Sequence, residues 1–146
     1  MKKRKDKLFL DANVFIAAIL SPTGGSSRLI NEAFRHGFQL FSSQYAIAEA
    51  MINIARKYPE CSSDFKDLLL SQPVKIAAEP TQKFIQKAKL LINVKDVPIL
   101  ACVMESKMDF LITLDKSHFF NSKIKSEKLP CEILIPGDFI KKYLND

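Results

Sequence analysis

No run of about 18 apolar residues occurs in this 146-residue chain, so no segment of it reads as a bilayer span. The N-terminus is basic but lacks the apolar core and small-residue cleavage site of a secretory signal, so a cytoplasmic protein with no membrane partner is expected. Cysteine is scarce. Cys61, Cys102 and Cys131 stand far apart, with no CxxC pair and no cluster of histidines, which argues against a zinc site and assigns all three to packing. The loop Thr23–Ser27 lacks the spaced second glycine and the Lys-Ser/Thr pair of a P-loop. No Ser, Cys or His constellation offers a metal-free nucleophile. The aromatic residues are mostly Phe inside apolar runs, so no basic-aromatic platform for stacking single strands is evident. Internal repeats, linkers and low-complexity segments are missing as well.

What is present suits one globular domain over residues 1–146, since 47% hydrophobic content can fill a core. A net charge of +6 favours a polyanionic partner, and RNA or DNA would be held mainly through phosphates. Two basic segments suit that role, Lys2–Lys5 and the stretch Lys116–Leu129, which carries four lysines against one glutamate. The structural alternative for both is a solvated surface, and for Lys2–Lys5 a solvated leader is the favoured reading.

The chain is organised around Asp96–Asp115, D-V-P-I-L-A-C-V-M-E-S-K-M-D-F-L-I-T-L-D. Asp96 and Pro98 suit a helix start, and Ile99, Leu100, Val103 and Met104 follow at helical spacing. The period then changes. Phe110–Leu114 is a strand-like apolar run that stops at Asp115, just as strand Lys7–Leu10 runs into Asp11. Further strands are expected at Phe38–Phe41, Val74–Ala78 and Cys131–Ile135, and helices at Val14–Leu20, Gln44–Lys57 after a Ser43 cap, Asp64–Leu70, Thr81–Leu91 and Gly137–Leu144. The segment Thr23–Ser27 reads as a loop ending in a helix cap before Leu29. Alternating strands and helices predict an α/β fold, a parallel sheet covered on both faces, with ligands at its carboxyl edge.

Each acid has a structural alternative. Asp96 can be an N-cap, Asp11 and Asp115 turn residues, and Asp109 a helix-to-strand hinge. Glu49 lies in a helix apolar on nearly all sides, where a hydrogen bond to Asn53 or a narrow wet face could satisfy it. Together, two strand ends, a helix start and a helix face can aim carboxylates at one small volume. Their repulsion would be resolved by a hard divalent cation such as Mg²⁺ or Mn²⁺. A phosphatase of the haloacid-dehalogenase type would need an Asp at position 13, which is Asn13, and a binding module without catalysis would ignore loss of the acids.

Leu10-Asp11-Ala12-Asn13-Val14, Ser43 with Glu49, Asp96-Val97-Pro98-Ile99-Leu100-Ala101 and Asp109–Asp115 resemble the four acidic motifs of the PIN-domain nucleases, and the likeness runs from Lys7 to Tyr143. Within that family the chain most resembles toxin components of toxin–antitoxin systems, related to VapC-type ribonucleases. The resemblance implies a three-layer fold with sheet order 3-2-1-4-5 and metal-dependent hydrolysis of RNA. It implies Asp11, Glu49, Asp96 and Asp115 as catalytic metal ligands, with Asn13 and Thr113 as accessory polar residues. Mg²⁺ or Mn²⁺ would be the cofactor, and RNA, an antitoxin protein and a second copy of the chain the partners. A nuclease of RNA processing without an antitoxin is the alternative. Ser117, Asn93 and Lys95 stand where relatives often carry further acids, which implies one tightly held metal and a second, weaker one. His118 has no general role in the family and is assigned to surface or packing.

Overall fold

In a computed structural model that describes residues 6–144, five parallel strands form one sheet. They are β1 (Lys7–Leu10), β2 (Gln39–Ser42), β3 (Val74–Ile76), β4 (Phe110–Ile112) and β5 (Glu132–Leu134), in the order β3-β2-β1-β4-β5. The basic segment Lys2–Lys5 lies outside the described residues.

Side-chain alternation along the central strands builds two cores. Leu8 and Leu10 of β1, Leu40 of β2, and Phe110 and Ile112 of β4 face one side. There they pack against α1 (Ala12–Leu20), α2 (Gly25–Ala33), α3 (Gln44–Lys57) and α4 (Ser62–Ser71). Phe9 and Leu111 face the other side, towards α5 (Gln82–Lys89) and α6 (Val97–Glu105). The result is the expected three-layer architecture and strand order. Phe110 anchors the first core among Phe38, Phe139 and Tyr143, with ring centroids 5.0–6.1 Å away. Each fully buried Phe contributes about 1.5–3 kcal/mol by leaving water.

α3 forms as its sequence predicts. Ser43 Oγ accepts the Ala46 N–H at 3.1 Å, and Ala46, Ala50 and Ile54 make its buried stripe. Other boundaries shift. β3 and β4 stop two residues early, β2 runs Gln39–Ser42 rather than Phe38–Phe41, and β5 is shorter by one residue at each end. The loop expected through Ser27 is already helix from Gly25, because Ser27 Oγ donates to the Ala18 and Ser21 carbonyls at 2.8 and 2.9 Å instead of capping α2. The basic stretch after Asp115 folds as two short helices, α7 (Lys116–Phe119) and α8 (Ser122–Glu127). The last helix divides into α9 (Pro136–Phe139) and a π-helical turn over Ile140–Leu144. Cys102 is fully buried, and Cys61 and Cys131 pack against the two cores. Among the described residues no helix is long and apolar enough to cross a membrane.

Candidate active site

β1 and β4 pair in register, Leu10 beside Ile112, and the Asp11 N–H continues the ladder by donating to the Ile112 carbonyl at 3.0 Å. Both strands therefore end together at the carboxyl edge. Thr113 Oγ1 donates to Asp11 Oδ2 at 2.8 Å and accepts the Asp115 N–H at 3.0 Å. Asn13 Oδ1 accepts the Leu114 N–H at 3.0 Å, while its Nδ2 reaches Thr113 Oγ1 at 3.3 Å and Asp11 Oδ2 at 3.4 Å. Thr113 is completely buried. Thr113 and Asn13 thus hold the two acids in place, and Thr113 itself is shut off from any substrate.

Asp96 departs from its expected local role. Helix α6 is preceded by a 3-10 turn, Val94–Asp96, whose cap is Asn93, with Oδ1 accepting the Lys95 N–H at 3.2 Å. The Asp96 side chain makes no capping bond. Its Oδ2 instead accepts from Asn93 Nδ2 at 2.9 Å and faces His118 Nδ1 at 2.7 Å. One structural alternative for Glu49 does not form, because Asn53 Nδ2 donates to the Glu49 backbone carbonyl at 2.9 Å and not to the carboxylate.

Asp11, Glu49, Asp96 and Asp115 all line one cleft of about 330 Å³. Lys57 at the end of α3 and Lys95 before α6 line it too. So does His118, which sequence reasoning assigned to surface or packing. It follows Asp115 by three residues in α7, and one helical turn carries its ring back over that acid, where Nδ1 stands 2.8 Å from Asp115 Oδ2. A four-residue helix is too short to show periodicity in sequence, and only the acid-x-x-His spacing could have pointed to it. Asp115 Oδ1 accepts from Ser117 Oγ and the His118 N–H, each at 3.1 Å.

Burial pushes Asp11 up from 3.8 to about 6, against the Thr113 hydroxyl and Ala12 N–H that favour the carboxylate; the charges of Glu49 and Asp96 add a smaller push. Desolvation thus outweighs the mutual repulsion expected from the sequence. Glu49 is raised by burial, lowered by Lys95 and raised again by Asp96. Tyr45, which donates to the Lys95 carbonyl at 3.1 Å, is raised by burial and then by Glu49, Asp96 and Asp11. Donor atoms of Asp96, Asp115 and His118 all lie within 4.8 Å of one another, while Asp11 and Glu49 add oxygens across the same cleft. A donor set dominated by carboxylate oxygen fits a hard divalent cation.

A family profile described as PIN domain matches residues 7–117. That span holds every acid of the cleft. Two solved structures share the fold. VapBC2 from Rickettsia felis, bound to a DNA fragment from its promoter, superposes with a TM-score of 0.59 at 18% identity over 88% of this chain and 96% of that one. VapC20 of Mycobacterium tuberculosis, a toxin that cleaves the sarcin-ricin loop, gives a TM-score of 0.56 at 12% identity over 84% of this chain and 95% of that one. None of the curated proteins matches in sequence.

Proposed function

Because the chain belongs to the PIN-domain family, we propose that it is a metal-dependent endoribonuclease and the toxin component of a toxin–antitoxin pair. The observation that carries this reading is the convergence of Asp11, Glu49, Asp96 and Asp115 on one cleft at the carboxyl edge of the sheet, with Lys57 and Lys95 on its walls. A bound Mg²⁺ or Mn²⁺ would lower the pKa of a coordinated water and neutralise charge on the phosphate and the leaving 3′ oxygen. Asp11, Asp96 and Asp115 would hold that ion, with Glu49 completing the set. Asn13 and Thr113 orient Asp11 and Asp115 through the bonds described above, and Lys57 and Lys95 would bind the phosphates flanking the scissile bond. Water, and not a side chain, would be the nucleophile.

The antitoxin part of the reading draws on an apolar groove of about 330 Å³ between α3 and α4, lined by Met51, Ile52, Ala55 and Phe65. Met51 and Ile52 are exposed there, and the same face would serve a homodimer. The test of function is cleavage of a panel of RNAs with Mg²⁺, with Mn²⁺ and with EDTA, run beside Asp11→Asn. Wild type should cut only with metal and Asp11→Asn should not cut. Undiminished cutting after metal-free dialysis would overturn the reading, and an RNA-binding protein indifferent to Asp11→Asn would be a binding module.

A further inference from the structure

The imidazole of His118 stands between two acids of the cleft. Its Nδ1 is 2.7 Å from Asp96 Oδ2 and 2.8 Å from Asp115 Oδ2, and all three atoms fall within the span that one ion can bridge. Nδ1 carries at most one hydrogen, which cannot align with both carboxylate oxygens at once. A cation satisfies all three lone pairs at once. Adjacent ligands on an octahedral ion with bonds of about 2.1 Å are about 3 Å apart, close to the separations seen here. Asn93 Nδ2 donates to the same Asp96 Oδ2 at 2.9 Å, and Ser117 Oγ donates to the other oxygen of Asp115, Oδ1, at 3.1 Å, as outer partners do at metal centres.

We propose that His118 Nδ1 is a direct metal ligand, which makes this a mixed nitrogen and oxygen site that prefers Mn²⁺ to Mg²⁺. The proposal rests on the metal-dependent reading above and adds one ligand to it. Nitrogen ligation disfavours Mg²⁺, which holds to oxygen and water, whereas Mn²⁺ takes the same carboxylates and, as a first-row transition ion, also accepts an imidazole nitrogen. The other histidine, His36, is on the opposite side of the sheet's length, in the turn before β2, with Nδ1 2.9 Å from the Glu32 carbonyl.

The experiment is electron spin-echo spectroscopy of the full chain loaded with one equivalent of Mn²⁺, together with Mn²⁺ and Mg²⁺ titrations by calorimetry. Wild type should show ¹⁴N coupling from a bound imidazole, retained in His36→Gln and lost in His118→Ala. His118→Ala should weaken Mn²⁺ binding about tenfold and Mg²⁺ binding much less. Mn²⁺ that binds wild type without nitrogen coupling, or coupling that survives His118→Ala, would overturn the ligand assignment and leave the nuclease reading standing. Wild type that takes up no Mn²⁺ would overturn both. The wild-type spectrum needs no variant to fold, and His118, 44% exposed, carries little of the core.

Discussion

Asp109 and Asp115 flank the same strand, β4, and their carboxylates meet opposite fates. Asp109, at the amino edge, accepts the backbone N–H groups of Asp6 and Lys7 at 2.9 Å each through one oxygen, which ties the start of β1 to the start of β4. Asp115, at the carboxyl edge, spends Oδ1 on capping α7 and turns Oδ2 towards His118 and, through it, towards Asp96. An acid whose oxygens meet backbone donors is a structural fastener. An acid that faces another acid across a cleft asks for a cation. Parallel strands put these two surroundings at their two ends, because amide donors left over at one edge face turns and the other edge opens between helices.

The sharpest way to break this contrast is catalytic. Asp115→Asn is expected to lower RNA cleavage about a thousandfold, the loss of roughly 4 kcal/mol of metal-borne stabilisation, while Asp109→Asn should stay within about twofold of wild type. Single-turnover cleavage with saturating Mn²⁺ reads both. Equal loss in the two variants would erase the distinction between the edges.

Stability in EDTA sharpens the comparison further. The folded protein holds Asp11 at about 6 against 3.8 for an ordinary Asp, so the folded state binds the proton more tightly than the unfolded one. Its contribution is therefore fully present below about 3.8 and is lost as pH rises through about 6. At pH 8 the ionised Asp11 costs the metal-free fold about 3 kcal/mol. Asp11→Asn escapes that cost, so it should be at least as stable as wild type at pH 8, with the advantage vanishing towards pH 4. Urea unfolding of both proteins across that range checks the sign, and a pH-independent gap would refute it.

Asp109→Ala should do the reverse, losing about 1.5–3 kcal/mol of stability because two backbone donors lose a charged acceptor. Its metal response should not change. The smallest effects belong to the cleft's cations. Lys57→Gln and Lys95→Gln should each reduce the logarithmic salt slope of RNA binding by about one, uniformly across RNA sequences. Unchanged slopes would return the phosphate role to lysines elsewhere, such as Lys123 and Lys125 of α8.

The fold was legible because β1 and β4 are apolar runs that end in acids, and α3 follows its serine cap as the sequence predicts. Sheet order came from likeness to a family, since no local pattern orders strands; the acids were picked out by their places at strand ends, a helix start and an apolar helix, and the likeness joined them into one set. Local rules misled at Asp96. An acid before a helix with proline in its first turn reads as a cap, yet Asn93 three residues earlier takes that task and leaves Asp96 for the cleft. Lys57 and Lys95 could not be found from sequence, since one closes α3 and the other sits in a turn 38 residues later, and only packing of the two segments brings both to the cleft. Asp109 was read correctly as structural, although the bonds to Asp6 and Lys7 that make it so span about a hundred residues.

Thermal unfolding across a Mn²⁺ titration of wild type, Asp115→Asn and Asp109→Asn tests most directly whether the carboxyl-edge acids hold a cation. A ligand that binds only the folded state adds about 2.7 kcal/mol at a hundredfold excess over its Kd. Wild type and Asp109→Asn should both gain that increment from their EDTA baselines, and Asp115→Asn should lose most of it. A full metal response in Asp115→Asn, or none in wild type, would contradict the assignment of the cleft.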